Sequence, residues 1–135
     1  MSTTKRLASW EAILLVGVGG MSGATLRYLL GAISGEAFAM TVIVNIAGCY
    51  FLGVILFATT TSNLLSLRIQ AIFASGFFAS FTTYSTFIAD IFFLSPGIAI
   101  VYIIATYIGG IGAIIVSRRS VNFFVENQVF PGGQP

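Results

Sequence analysis

Four runs of apolar residues, each long enough to cross a bilayer, are separated by short polar breaks and leave this chain one medium to fold in. A helix needs about 20 mostly apolar residues to span the hydrocarbon core. The runs extend roughly from Glu11 to Ile33, from Ala37 to Ala58, from Leu67 or Arg68 to Leu94, and from Ile98 to Val116. Ser34-Gly35-Glu36, Thr59 to Asn63 and Ser95-Pro96-Gly97 punctuate them, and Ser117-Arg118-Arg119 closes the last. Pro96 lacks a backbone donor and fixes φ, so it marks a chain break. Charged residues make up only 7% of the chain, against roughly 25% in soluble domains, too few to cover a small protein in water. Backbone polar groups must be paired internally in lipid, so the runs are read as helices. The expected fold is an all-α, multi-pass protein of the cell membrane. A four-span domain covers residues 1–120, and a short C-terminal tail, loose or interfacial, covers residues 121–135. The opening MSTTKRLASW is basic and then apolar, as in a signal peptide. Three further runs follow it, which makes a retained first span the expected outcome.

Several function classes fall away on composition. There is no histidine, which removes the commonest general base and metal ligand. The single cysteine, Cys49, excludes an internal disulfide and a cysteine metal cluster. The acids Glu11, Glu36, Asp90 and Glu126 are scattered, with no pair placed for acid–base work. No Walker-type phosphate loop is present. The chain therefore reads as neither an enzyme nor an ATP-driven pump. Its basic residues sit at the ends of hydrophobic runs, a pattern of membrane anchoring that gives no reason to expect nucleic acid.

The polar residues inside the runs are more informative. The first run carries Gly17, Gly19, Gly20, Gly23 and Ala24, small residues that allow close helix approach, and then Arg27. An arginine at this depth either snorkels to the interface or finds partners. The second run places Asn45 near its middle, with Thr41 and Gly48 about one turn to either side on the same face. Its carboxamide suits interhelical bonding or donation into a pore. The third run holds Ser80, Thr82, Thr83, Ser85 and Thr86 among Phe81, Tyr84 and Phe87. So many hydroxyls after Gly76 predict a helix broken near its middle, tolerated where freed backbone groups meet protein, water or an ion. Ring edges are electropositive, so the aromatic stripe either packs or faces an anion. In the fourth run Tyr102 and Thr106 lie one turn apart, with Gly110 a turn further.

Taken in order, these segments resemble the Fluc/CrcB family of fluoride channels. Gly19 to Tyr28 is similar to its first-span motif, Thr41 to Gly53 to its asparagine-bearing second span, and Gly76 to Phe87 to its third-span segment. The resemblance runs from about Val16 to Gly110. It implies an antiparallel, dual-pore dimer of four-helix subunits that exports fluoride passively and lowers its cytoplasmic level. By the same resemblance Asn45 would donate to fluoride, and Tyr84 and Phe87 would present ring edges along the ion path. Thr83, Ser85 and Thr86 are the hydroxyl candidates beside them, and Tyr102 and Thr106 fit the polar track of the fourth span. Arg27 would sit near a polar vestibule. A structural sodium ion would be held at the third-span break by the backbone carbonyls of Ala79 and Thr82. Ala79 and Ser80 stand where the family has two glycines, Tyr84 replaces a phenylalanine, and Gly110 stands where a third hydroxyl might be expected.

Charge bears on the partner. With four spans, Lys5, Arg6, Arg68, Arg118 and Arg119 fall on one side of the membrane, and only Arg27 lies toward the other. Lysine and arginine excess sets orientation, so both termini are expected in the cytoplasm. One fixed orientation favours a heterodimer with an oppositely inserted homologue over a dual-topology homodimer. Two other functions remain open: a proton-coupled small multidrug-type transporter, and a non-conducting structural subunit of a heterodimer. The transporter would need an embedded acid, and Asp90 is the sole acid deep in a run.

Overall fold

The computed structural model describes residues 7–34, 37–62 and 65–129. The turn at Gly35 and Glu36, the basic pair Lys5 and Arg6, and the tail segment Pro131-Gly132-Gly133 lie outside these residues. The chain is helical as expected: α1 spans Ser9–Ile33 and α2 spans Ala37–Ser62. The third span begins with α3 (Leu67–Ile69), continues as a π-helix, π1 (Gln70–Phe78), and ends its first half with α4 (Ala79–Phe81). After a break, α5 (Tyr84–Phe93) completes it, and α6 (Pro96–Val129) follows. Four helical spans among the described residues are long and apolar enough to cross a membrane.

The spans alternate in direction, and glycines set their spacing. A Cβ placed on Gly19 or Gly23 of α1 would collide with the backbone carbonyl of Ile72 or Phe77 in π1. From the other side, a Cβ on Gly76 would come within 2.7 Å of the Val16 carbonyl oxygen. The first and third spans therefore run parallel with their backbones in contact, the role of small residues in lipid, where apolar burial alone does not hold helices together. On α2 and α6, Gly109 accommodates the Ile46 side chain and Gly53 accommodates Ser117, so these helices also run parallel. Ser117 is fully buried, and its hydroxyl donates to the Ile114 carbonyl at 2.7 Å. The third span runs against α2, with Phe51 stacked on Phe78 at 5.5 Å and Gly48 beneath Thr82.

Two features depart from the expected outline. The π-helical stretch of nine residues has no counterpart in the hydrophobic pattern. The fourth helix does not close at Ser117-Arg118-Arg119 but runs on to Val129. Its serines bond back to their own helix, with Ser120 Oγ donating to the Val116 carbonyl at 3.1 Å, and Val121 is buried. Arginine is a good helix former, so the pair that ends the apolar run does not end the helix. At its other end α1 is joined to the third span by an ion pair, Arg68 Nε to Glu11 Oε1 at 2.7 Å. Arg68 is 68% exposed, so the pair contributes little to stability. Large apolar side chains are exposed on every span, from Trp10 and Leu14 to Phe92, Ile108 and Ile115, as lipid or a second subunit requires.

Candidate functional site

The break in the third span is the centre of the site. The helix ends at Phe81, Thr82 turns to ψ 158° and Thr83 is extended at φ −147°, ψ 123°. Extended residues inside a helical span strand their own polar groups. Asn45, from the middle of α2, takes both groups of Thr83: its Nδ2 donates to the Thr83 carbonyl at 3.0 Å and its Oδ1 accepts from the Thr83 N–H at 2.7 Å. A carboxamide has the donor–acceptor spacing of a peptide group, and here it stands in for one. One Nδ2 hydrogen is left over for another acceptor.

The Thr83 side chain then restarts the helix. Its Oγ1 accepts from the Thr86 N–H at 3.1 Å, the N-cap bond that begins α5. The same hydroxyl donates to Thr86 Oγ1 at 2.9 Å and lies 3.4 Å from Ser85 Oγ. Thr83 is buried while Ser85 is exposed. The structure thus gathers Asn45, Thr83, Ser85 and Thr86 around one junction.

Two cavities meet the junction, and Thr83 borders both. The larger, about 520 Å³, is lined by Arg27, Tyr28, Thr41 and Thr86 among others. Arg27 Nε is buried without a hydrogen-bond partner. The smaller, about 330 Å³, is lined by Asn45, Cys49, Tyr84, Phe87, Thr106 and Tyr107 among others. Phe87 is buried, its face stacked on Tyr102 at 5.2 Å and 21°, while Tyr107 meets it edge-on at 5.9 Å and 85°. Tyr84 lies 5.9 Å from Phe87 but is 69% exposed, so much of its ring points away from this subunit.

Tyr102 borders neither cavity. It is buried behind Phe87, and its hydroxyl donates to Asp90 Oδ2 at 2.8 Å. Asp90, the acid deep in the third span, thereby gains a donor. Thr106 does border the smaller cavity, but its hydroxyl donates to the Tyr102 carbonyl at 2.8 Å, so its proton is committed to its own helix.

Ala79 and Thr82 sit at the end of the first half-helix. Ala79 is right-handed helical at φ −63°, so an alanine in place of glycine carries no backbone penalty. The N–H that would ordinarily bond the Ala79 carbonyl is that of Thr83, and it goes to Asn45 instead. The Thr82 hydroxyl lies 3.4 Å from the Ala79 oxygen and 3.1 Å from that of Phe78. The amide that would bond the Thr82 carbonyl, that of Thr86, goes to Thr83 Oγ1. Both carbonyls are therefore released from the helical ladder, which leaves lone pairs open to a cation, and Ala79 is exposed on the subunit surface. Among the described residues no group of histidine, cysteine, aspartate or glutamate could hold a metal. A cation here would depend on carbonyl oxygens, and the two released ones fit that role.

Sequence reasoning did not assign site roles to Thr41, Cys49 or Tyr107. Thr41 is buried and lines the larger cavity, and its position one turn before Asn45 was the available signal. Tyr107 follows Thr106 directly, off the face that helical spacing would choose, and no periodic signal marks it.

The family model for CrcB-like protein, Camphor Resistance (CrcB), matches residues 14–118. A protein of Haloarcula marismortui named fluoride-specific ion channel FluC 1 is 34% identical over 124 residues, covering 92% of this chain and 96% of that one. Its counterpart of the same name in Natronomonas pharaonis is 33% identical, covering 84% and 96%. A fluoride-specific ion channel FluC of Prosthecochloris aestuarii is 36% identical over 110 residues, covering 75% and 85%.

Proposed function

The chain belongs to the CrcB-like protein family, and from that premise we propose that it is a subunit of a fluoride channel that lets the ion leave the cell passively. The observation that carries the reading is the Asn45–Thr83 junction, bordered by two cavities whose linings include the Asn45 carboxamide, threonine hydroxyls and aromatic residues. Fluoride is small and strongly hydrated, so a path through lipid must replace its water with donors. Neutral donors bind weakly enough for the ion to leave again. The remaining Nδ2 hydrogen of Asn45, the Thr86 and Ser85 hydroxyls and the edge of Phe87 are the groups offered to it. Arg27 draws the anion into the larger cavity and stands aside from the narrow part.

The active unit is an antiparallel dimer. Ser75, Ala79, Tyr84 and Ser85 are exposed around the break, and polar groups facing lipid there would cost several kcal/mol each, by the usual order of magnitude. A second subunit covers them. In that assembly the Ala79 and Thr82 carbonyls of both subunits would take a sodium ion, which when bound supplies a fixed charge joining the two breaks. The favoured partner is an oppositely inserted homologue, with a second copy of this chain as the alternative.

The experiment is flux from liposomes loaded with fluoride, read by a fluoride electrode after a potassium ionophore is added. The reading expects rapid fluoride efflux, no chloride efflux and no need for a pH gradient. A strict requirement for a pH gradient would favour the proton-coupled transporter. Absence of flux with a co-purified partner would leave the non-conducting subunit.

A further inference from the structure

We infer that Asn45 is a positioning residue for the cation-binding carbonyls as well as part of the anion path, so that one carboxamide couples the two sites. The inference rests on the fluoride-channel reading and adds to it a link between anion path and sodium. The Thr83 N–H has two possible acceptors. One is the Ala79 carbonyl four residues back, the bond a continuous helix would make. The other is Asn45 Oδ1, which holds it at 2.7 Å. While Asn45 holds that hydrogen, the Ala79 oxygen is released from the helical bond, and the Thr82 hydroxyl lies 3.4 Å from it. The second arm of the carboxamide, Nδ2 to the Thr83 carbonyl at 3.0 Å, keeps that peptide turned outward from the helix. Without Asn45, Thr83 would have two unpaired backbone groups at membrane depth, which the chain relieves by closing the helical bond onto Ala79. That closure ties the Ala79 oxygen into the helical ladder and weakens it as a ligand for the cation.

The two arms of the carboxamide can be separated. Asn45→Leu keeps the shape and removes both arms. Asn45→Asp keeps an acceptor for the Thr83 N–H but puts a negative charge in the anion path. The measurement is the thermal midpoint of the protein purified with the partner that co-elutes, in fluoride-free detergent, in sodium chloride and in N-methyl-glucamine chloride at equal ionic strength. Fluoride flux of the same preparations is measured in liposomes. Wild type is expected to gain a sodium-dependent rise in midpoint, Asn45→Asp to keep most of that rise while losing flux, and Asn45→Leu to lose both. A purely structural asparagine would lower the midpoint equally in both salts. A full sodium response in Asn45→Leu, no response in wild type, or a response lost as completely in Asn45→Asp as in Asn45→Leu would overturn the inference. If Asn45→Leu does not fold, Asn45→Ala, which also removes both arms with less bulk, takes its place and is expected to lose the sodium response. Flux from wild type purified with its partner but without this sodium pattern sinks the coupling alone, whereas absence of flux from that same preparation sinks the channel reading.

Discussion

Phe87 touches more of the proposed function than any other side chain. Its face is stacked on Tyr102, and it lines the smaller cavity together with Asn45. Phe87→Ile keeps the bulk and removes the electropositive edge. Fluoride flux is expected to fall roughly tenfold or more, since about 1–2 kcal/mol of edge contact is removed, while the thermal midpoint moves much less. Flux equal to wild type would make the ring a packing residue. Tyr102 supports Phe87 from behind and donates to Asp90. Tyr102→Phe keeps the stack but takes the donor from an acid at membrane depth. The expected effect is a loss of stability of about 1–3 kcal/mol, read as a lower thermal midpoint in detergent. Much of this was legible in the sequence: Asn45, Thr83, Thr86 and Phe87 stood out as polar or aromatic side chains in apolar runs, and they do meet. What could not be read is who bonds whom. The two bonds from Asn45 to the Thr83 backbone join residues far apart in the chain, and no spacing rule foretells them.

Among the elements, the contact between α1 and π1 is the most exacting. Gly19 and Gly23 face backbone carbonyls directly, so a side chain cannot be relieved by a rotamer change. Gly23→Val is expected to destabilise the subunit by about 1–3 kcal/mol or more and to shift it from assembled to aggregated on size-exclusion chromatography. Gly17 and Gly31 on the same helix have nothing within 4 Å of an added Cβ. Alanine at either should leave assembly unchanged, or raise the midpoint slightly because glycine lowers helix stability. Wild-type behaviour of Gly23→Val would mean that the helices can separate without loss. The glycine spacing in the sequence announced this close approach, and the hydroxyl cluster announced the break. The π-helix was not announced, because moving the ladder from i−4 to i−5 changes no residue and leaves a uniformly apolar run looking the same. The length of α6 was hidden for the opposite reason. Arg118 and Arg119 mark where the apolar run ends, and a helix can continue through them.

For the whole molecule the decisive quantity is the distribution of charge across the membrane. The start of α1, the start of α3 and the distal half of α6 lie toward the same side, as the Arg68–Glu11 ion pair and the parallel course of α2 and α6 require. Arg68, Arg118 and Arg119 belong to that side, and the sequence adds Lys5 and Arg6. Toward the other side only Arg27 is basic, and it is drawn into the larger cavity within the span. The lysine and arginine excess fixes orientation, with charges near span ends counting most. Both termini should therefore face the cytoplasm in every copy. On that expectation an antiparallel dimer would not form from this chain alone and would need a homologue with the reverse bias. A topology reporter fused to the C-terminus and expressed without other subunits should report only the cytoplasmic side. Moving the balance should change the answer: Arg118→Glu together with Arg119→Glu, with lysines added between α1 and α2, is expected to produce copies in both orientations. If those variants then conduct as a single gene product where the wild type alone does not, charge is what assigns this chain its partner. Equal signals from both sides for the wild type would instead restore the dual-topology homodimer.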